Sequence, residues 1–262
     1  MVRMKNNRVG ERFKNRKDLG EYEFVIVEYN SSDDVIIEFQ DEHKTKVHTQ
    51  YHKCKDGGVK NPYHPIIYGV GYLGQGKYKS RINGKLTKEY DEWKSFLQRS
   101  NDKEYKKKEP TYKDAYTNEY FYNFQNYCKW REDNYYEIEG EKMCLDKDIL
   151  VKGNKEYAPD KCIFVPQRIN NLFTKNDCER GNLPIGVNYR KDKNKYEASC
   201  SILSNNIKKR RHIGYYNTPE EAFLAYKQFK EAYIKQVADE YKDYIPYRLY
   251  EAMYKWEVEI DD

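Results

Sequence analysis

Gly186-Val187-Asn188-Tyr189-Arg190, Lys195-Tyr196-Glu197-Ala198-Ser199-Cys200-Ser201-Ile202 and Lys209-Arg210-Arg211-His212-Ile213-Gly214-Tyr215-Tyr216, followed by Thr218-Pro219-Glu220-Glu221, form the stretch on which the fold turns. The first three runs mix β-branched and aromatic residues with polar ones, and Asn194 and Asn205-Asn206 supply turn chemistry between them. They read as strands. The fourth run is a helix start: Thr caps, Pro fills the first helical position, and Glu221 can reach back to the Thr amide. Ala222, Phe223, Tyr226, Phe229, Tyr233 and Val237 then recur at three- and four-residue spacing, one apolar stripe suited to lie on a sheet. The pattern predicts a three-stranded antiparallel sheet packed on one helix within about residues 180–241. A sheet covered on one side has its other face free. Arg190, Lys195, Lys209 and Arg211 sit on the strands or their ends, where alternation lets several of them project from that face.

Charge is concentrated in the same place. The whole chain of 262 residues has a formal net charge of +5. Residues 179–214 hold nine Lys/Arg against three acidic residues, a net +6, whereas residues 236–262 hold three basic residues against eight acidic ones, a net −5. A basic block followed by an acidic tail fits a polyanion-binding protein, although a solvated surface gives the same count. Aliphatic residues are scarce and Tyr is abundant, 28 against 10 Phe, so much of the burial must come from aromatic rings. Several small domains suit this composition better than one large core.

Upstream, Phe24 to Val27, Val35 to Phe39 and Val47 to Tyr51 alternate as strands with hairpin links, which predicts a small N-terminal β-barrel or sheet domain over residues 1–76. The glycines from Gly69 to Gly76 read as a linker. Residues 86–175 form a central module with two helical stripes, Tyr90-Trp93-Phe96-Leu97 and Phe121-Phe124-Cys128. Leu145 to Leu150, the Gly153-Asn154 turn, Cys162 to Val165 and the segment from Arg168 to Phe173 then make a ββα unit. His43, His48, His52 and Cys54 lie close in sequence, but their spacing matches no standard zinc pattern and ordinary histidines are the favoured reading. The six cysteines form no C-x-x-C pair, which points to a reducing compartment.

The C-terminal segment resembles the Apetala/ethylene-response-factor type of DNA-binding domain, which also occurs in phage and mobile-element endonucleases. Gly186-Val187, Tyr196-Glu197-Ala198, Arg211 to Tyr216, Thr218 to Ala222 and Ala225-Tyr226 carry the likeness, over about 55 residues. It implies a sheet that enters the major groove, with Arg190, Lys195, Tyr196, Lys209, Arg210 and Arg211 as the DNA-binding candidates. The central module looks like a degenerate member of the His-Asn-His (HNH) endonuclease group. Leu145-Asp146-Lys147-Asp148-Ile149, the Asn154 turn, Tyr157-Ala158-Pro159 and the segment from Cys162 to Asn170-Asn171 stand where such enzymes place their metal-binding strand, turn and closing helix. That likeness makes Asp146, Lys147, Asp148 and Asn170 the catalytic candidates, with Mg²⁺ on Asp146 and Asp148 if the module cuts. The usual catalytic His is missing, since no His occurs between His64 and His212. A phosphodiester cut needs a general base and a bound cation.

The expectation is therefore a modular α+β protein: an N-terminal β-domain (1–76), an HNH-like module (86–175), a sheet-and-helix DNA reader (180–241) able to fold alone, and an acidic tail (242–262). Its leading function is double-stranded DNA binding of phage or mobile-element type without cleavage. The alternatives are a metal-dependent homing-type endonuclease and a protein-interaction inhibitor of a host factor. No small-molecule cofactor and no membrane partner are expected. The basic start lacks the apolar run of a signal or a membrane span, so the reading places the protein in the cytoplasm of a bacterial host cell.

Overall fold

The computed structural model describes residues 8–174, 183–204 and 207–260. The chain divides into two compact units, residues 1–133 with 155–159 and residues 134–154 with 160–262. The division falls inside the stretch expected to be a single central module. The architecture is mixed helix and sheet, and the described sheets are open. Among the described residues no helix is long and apolar enough to cross a membrane, and no disulfide joins the five described cysteines.

In the first unit, β1 (Arg12–Lys14), β2 (Glu23–Ser31), β3 (Asp34–Phe39) and β4 (Lys46–Thr49) form an antiparallel meander in that order. It is an open sheet, not a barrel. Two-residue alternation turns Phe24, Ile26, Val35, Ile37 and Phe39 to one face. There they pack with Val59 and with Cys54 of the short helix α1 (Tyr51–Lys55). Helix α2 (Lys88–Asn101) starts where the Thr87 side chain accepts from the Tyr90 amide, and it buries Trp93, Phe96, Leu97 and Ser100 along one stripe. Helix α3 (Phe124–Asn134) adds Phe124, Tyr127, Cys128 and Trp130. The glycine run is not a linker. Its backbone bonds to Tyr122 and Phe124, and a Cβ on Gly71 would stand 2.6 Å from Leu97 and 2.9 Å from Trp93. Glycine is needed there because the backbone passes in contact with the aromatic core.

The second unit is organised around one long helix. Strands β5 (Met143–Asp146) and β6 (Ile163–Pro166) pair antiparallel and lead into helix α4 (Gln167–Phe173), so a ββα arrangement is present. Strands β7 (Val187–Arg190), β8 (Lys195–Ser204) and β9 (Ile207–Tyr216) form a second antiparallel sheet in that order. Helix α5 (Pro219–Tyr241) opens with the expected capping box, Thr218 accepting from the Glu221 amide and Glu221 from the Thr218 amide. At 23 residues it is about 34 Å long. Its first half carries Ala222, Phe223 and Tyr226 against Val187, Ala198 and Cys200 of the sheet. Its second half carries Tyr233, Ile234, Val237, Ala238 and Tyr241 against Ile149, Ile163, Val165 and Ile169 of the ββα arrangement. One stripe thus closes two cores.

The segment expected to be an acidic tail is folded into this unit. Helix α6 (Tyr247–Tyr254) sends Leu249 and Met253 into the second core beside Ile245, and Val258 completes the sheet core. Each such aliphatic side chain contributes about 1.5–3 kcal/mol by leaving water. The acidic residues of the segment are its wet side; the apolar ones between them decide where it goes. A fragment ending at residue 241 would lose them.

Candidate nucleic-acid interface

Cross-strand partners share a face, so the register of β7, β8 and β9 sorts the basic residues. Val187 pairs with Ala198 on the side sealed by α5, and Cys200, two residues on, pairs with Arg211. Residues Lys195, Glu197, Ser199 and Ser201 of β8 therefore belong to the opposite face. Arg190 is the partner of Lys195, His212 of Ser199 and Arg210 of Ser201, so all three join that face. The Arg210 Nε donates to Ser199 Oγ at 2.9 Å, as that placement requires.

A bulge controls this arrangement. Ala198 faces Gly214 while the next residue, Ser199, faces His212, so Ile213 is an extra residue in β9. One inserted residue reverses the inward and outward order of everything beyond it. Arg210 and His212 consequently share a face with Tyr215, whose partner is Glu197. Lys209 and Arg211, expected on the free face, stand with Ile202 and Cys200 on the helix side, exposed at the sheet edge. Tyr196 is also on the helix side, partly buried against the sheet core. Of the six sequence candidates, Arg190, Lys195 and Arg210 share the free face.

At the middle of that face lies Glu197, which the sequence reading passed over. Its side chain is only 10% exposed, against 45% for Arg190, 57% for Arg210 and 47% for His212. The acid is underneath, with the two guanidiniums and the imidazole above it. Its Oε2 lies 3.6 Å from the Arg190 guanidinium and 3.7 Å from that of Arg210, and its Oε1 lies 3.1 Å from His212 Nδ1. Arg190 is held from the turn as well, its Nε donating to Asp192 at 3.2 Å, and this bond lowers the Asp192 pKa below the usual carboxylate range. Lys193 Nζ lies 3.8 Å from the centre of the Tyr215 ring, and Lys195 Nζ donates to Asn217.

The candidates of the ββα arrangement are bound up in their own loop. Asp146 ends β5, and its Oδ1 accepts from the amides of Asp148 and Ile149, both at 2.8 Å. Burial, and next the charge of Asp148, push its carboxyl pKa up to about 6. Lys147 Nζ donates to Asp148 Oδ2 at 2.9 Å and to the Asn154 carbonyl at 3.1 Å, while Asn154 Nδ2 donates to the Lys147 carbonyl at 2.6 Å. Asn170 stands on α4, outside this hydrogen-bonded turn. One oxygen of each carboxylate is engaged within the turn, Asp146 Oδ1 by two amides and Asp148 Oδ2 by the Lys147 amine. Among the described residues no group of three or more His, Cys, Asp or Glu could hold a metal ion. In the first unit His48 pairs with Asp34 at 2.8 Å and His43 stacks on Tyr63, which accounts for two of the clustered histidines.

No family model, curated protein or solved structure matches the chain, and the chemistry of the sheet face carries the functional conclusion.

Proposed function

We propose that the protein binds double-stranded DNA through the free face of the β7-β8-β9 sheet. The observation that carries this reading is the convergence of Arg190, Lys195, Arg210 and His212 on one face of a sheet whose other face is closed by α5. A narrow antiparallel sheet fits the major groove, which is about 12 Å wide, and Arg suits both phosphate oxygens and guanine edges. In this reading the ββα arrangement is a scaffold: it anchors the second half of α5 and so stiffens the platform on which the sheet lies. Phosphodiester cleavage has no comparable support, because the Asp146 to Asn154 turn uses its polar groups to hold its own backbone.

The test is binding of the full chain to a duplex of random sequence across salt concentrations. Each phosphate contacted by Lys or Arg releases counterions, so log affinity should fall linearly with log salt, with a slope of about −0.9 per contact. Affinity that is absent at low salt, or indifferent to salt, would overturn the proposal.

A further inference from the structure

The presence of Glu197 is at odds with a face that only attracts phosphates. A buried carboxylate under two guanidiniums cancels one of their two charges and weakens the sequence-independent part of DNA binding. It also sits where its Oε2, buried and without a hydrogen bond of its own, is compensated only by the neighbouring cations. Removing a partner from such a group is costly, so the two arginines are held to it.

We infer that Glu197 is a positioning residue that converts Arg190 and Arg210 into one fixed pair, and that this pair reads base edges in the major groove. The inference rests on the duplex-DNA reading above and deepens it. Three features lead to it. Arg190 lies on β7 and Arg210 on β9, the two outer strands, so nothing in the backbone brings their long side chains together; the acid on the central strand does. One nitrogen of each guanidinium lies within 3.7 Å of the same oxygen. Two groups flanking one atom are spaced for bases one or two steps apart, since successive base pairs rise about 3.4 Å. Finally, an arginine already held in place loses less side-chain freedom on binding than a mobile one, which favours contacts that demand exact geometry, such as bidentate bonds to guanine. Lys195, drawn toward Asn217, and Lys193, seated over Tyr215, remain as the residues that supply plain charge.

The experiment begins by selecting a preferred duplex from a random-sequence pool with the full chain. Affinities of the wild-type protein and of Glu197→Gln are then compared on that duplex and on a random duplex of equal length. Glu197→Gln should bind the preferred duplex about tenfold more weakly. On random DNA it should bind more tightly, with a salt slope steeper by about one phosphate contact. Opposite movement is the signature of positioning. Affinities that rise together would make the acid a simple electrostatic brake, and affinities that fall together or stay unchanged would make it structural; each overturns the inference. Duplex binding with no preferred sequence also overturns it and leaves the DNA-binding reading intact, whereas no duplex binding at all removes that reading first. If Glu197→Gln loses its cooperative melting transition, Arg190→Ala, Arg210→Ala and their combination decide on the preferred duplex. A pair acting as a unit loses nearly as much from either single change as from both, and strict additivity overturns the inference.

Discussion

The sheet face around Glu197 and the turn around Asp146 are both acidic residues set among cations and amides on strands of the same unit, yet they do different work. In the turn, polar groups point back into a loop of nine residues: Asp146 to the amides of Asp148 and Ile149, Lys147 to Asp148 and to the Asn154 carbonyl, Asn154 to the Lys147 carbonyl. On the sheet the order is inverted, with one buried acid below and three half-exposed cationic or ionisable groups above. Charge that closes on its own backbone builds structure. Charge gathered on a surface by a single buried counterion remains able to meet a ligand.

The most forceful way to break this comparison is to remove the surface pair. Arg190→Ala combined with Arg210→Ala should lower affinity for a preferred duplex by at least about a hundredfold, measured by fluorescence anisotropy, while the protein keeps a cooperative melting transition at a temperature lowered by the loss of both cations beside Glu197. Loss of folding with loss of binding would erase the distinction between the two regions.

Asp146 should respond in the reverse manner. Asp146→Ala leaves two backbone amides without their acceptor and should cost about 1–3 kcal/mol in chemical denaturation, with DNA affinity of the folded protein unchanged. The sign of its pH effect is also fixed. Its carboxyl pKa is raised in the folded state to about 6 from an ordinary 3.8, so the folded protein holds that proton more tightly than the unfolded chain. This contribution to stability is fully present below the unfolded value and is lost as pH rises through the folded one. Asp146→Asn should flatten that fall between about pH 4 and pH 6, an effect of order 1 kcal/mol. A slope that survives the substitution would assign it to another group.

The smallest expected effect sharpens the role of the bulge. Lys209→Ala and Arg211→Ala, on the helix side of β9, should each weaken binding to preferred and random duplexes by the same few-fold factor and leave sequence preference as it was. A change of preference from either would mean that the sheet meets DNA with its edge.

What could be read in the sequence follows from how local each feature is. The capping box at Thr218 and Glu221 and the stripe from Phe223 to Val237 depend on neighbours three or four residues apart, and both are present. The two-core use of that stripe was not legible, because Phe223 and Ile234 differ only in which distant strands reach them. The free-face set was half legible for a related reason. Period-two reading carries Tyr215, Ile213, Arg211 and Lys209 along one face, and the extra residue at Ile213 keeps Tyr215 there but exchanges Arg211 and Lys209 for Arg210 and His212. A bulge is defined by its partner strand. Glu197 was hidden by arithmetic, since one of three acids set against nine basic residues counts as a small deduction from net charge instead of as the group around which Arg190 and Arg210 collect. The apolar residues Leu249 and Met253 were likewise masked by the acidic count of residues 236–262, although their four-residue spacing marks a helix face.

The position of Val258 has a consequence for how the protein is made. It lies in the sheet core with Val187 and Ala198, while Leu249 and Met253 lie in the core that holds Ile149 and Ile163. The core that holds Ile149 and Ile163 is complete only once Met253 has left the ribosome, and the sheet core only once Val258 has, by which time everything from Asn134 onward has been waiting. At about 5–20 residues per second that wait is roughly 6–25 s. During it the paired faces of β5 to β9 lack the part of their cover that follows α5, so nascent chains stalled between residues 241 and 258 should be the protease-sensitive and chaperone-dependent species of its biosynthesis.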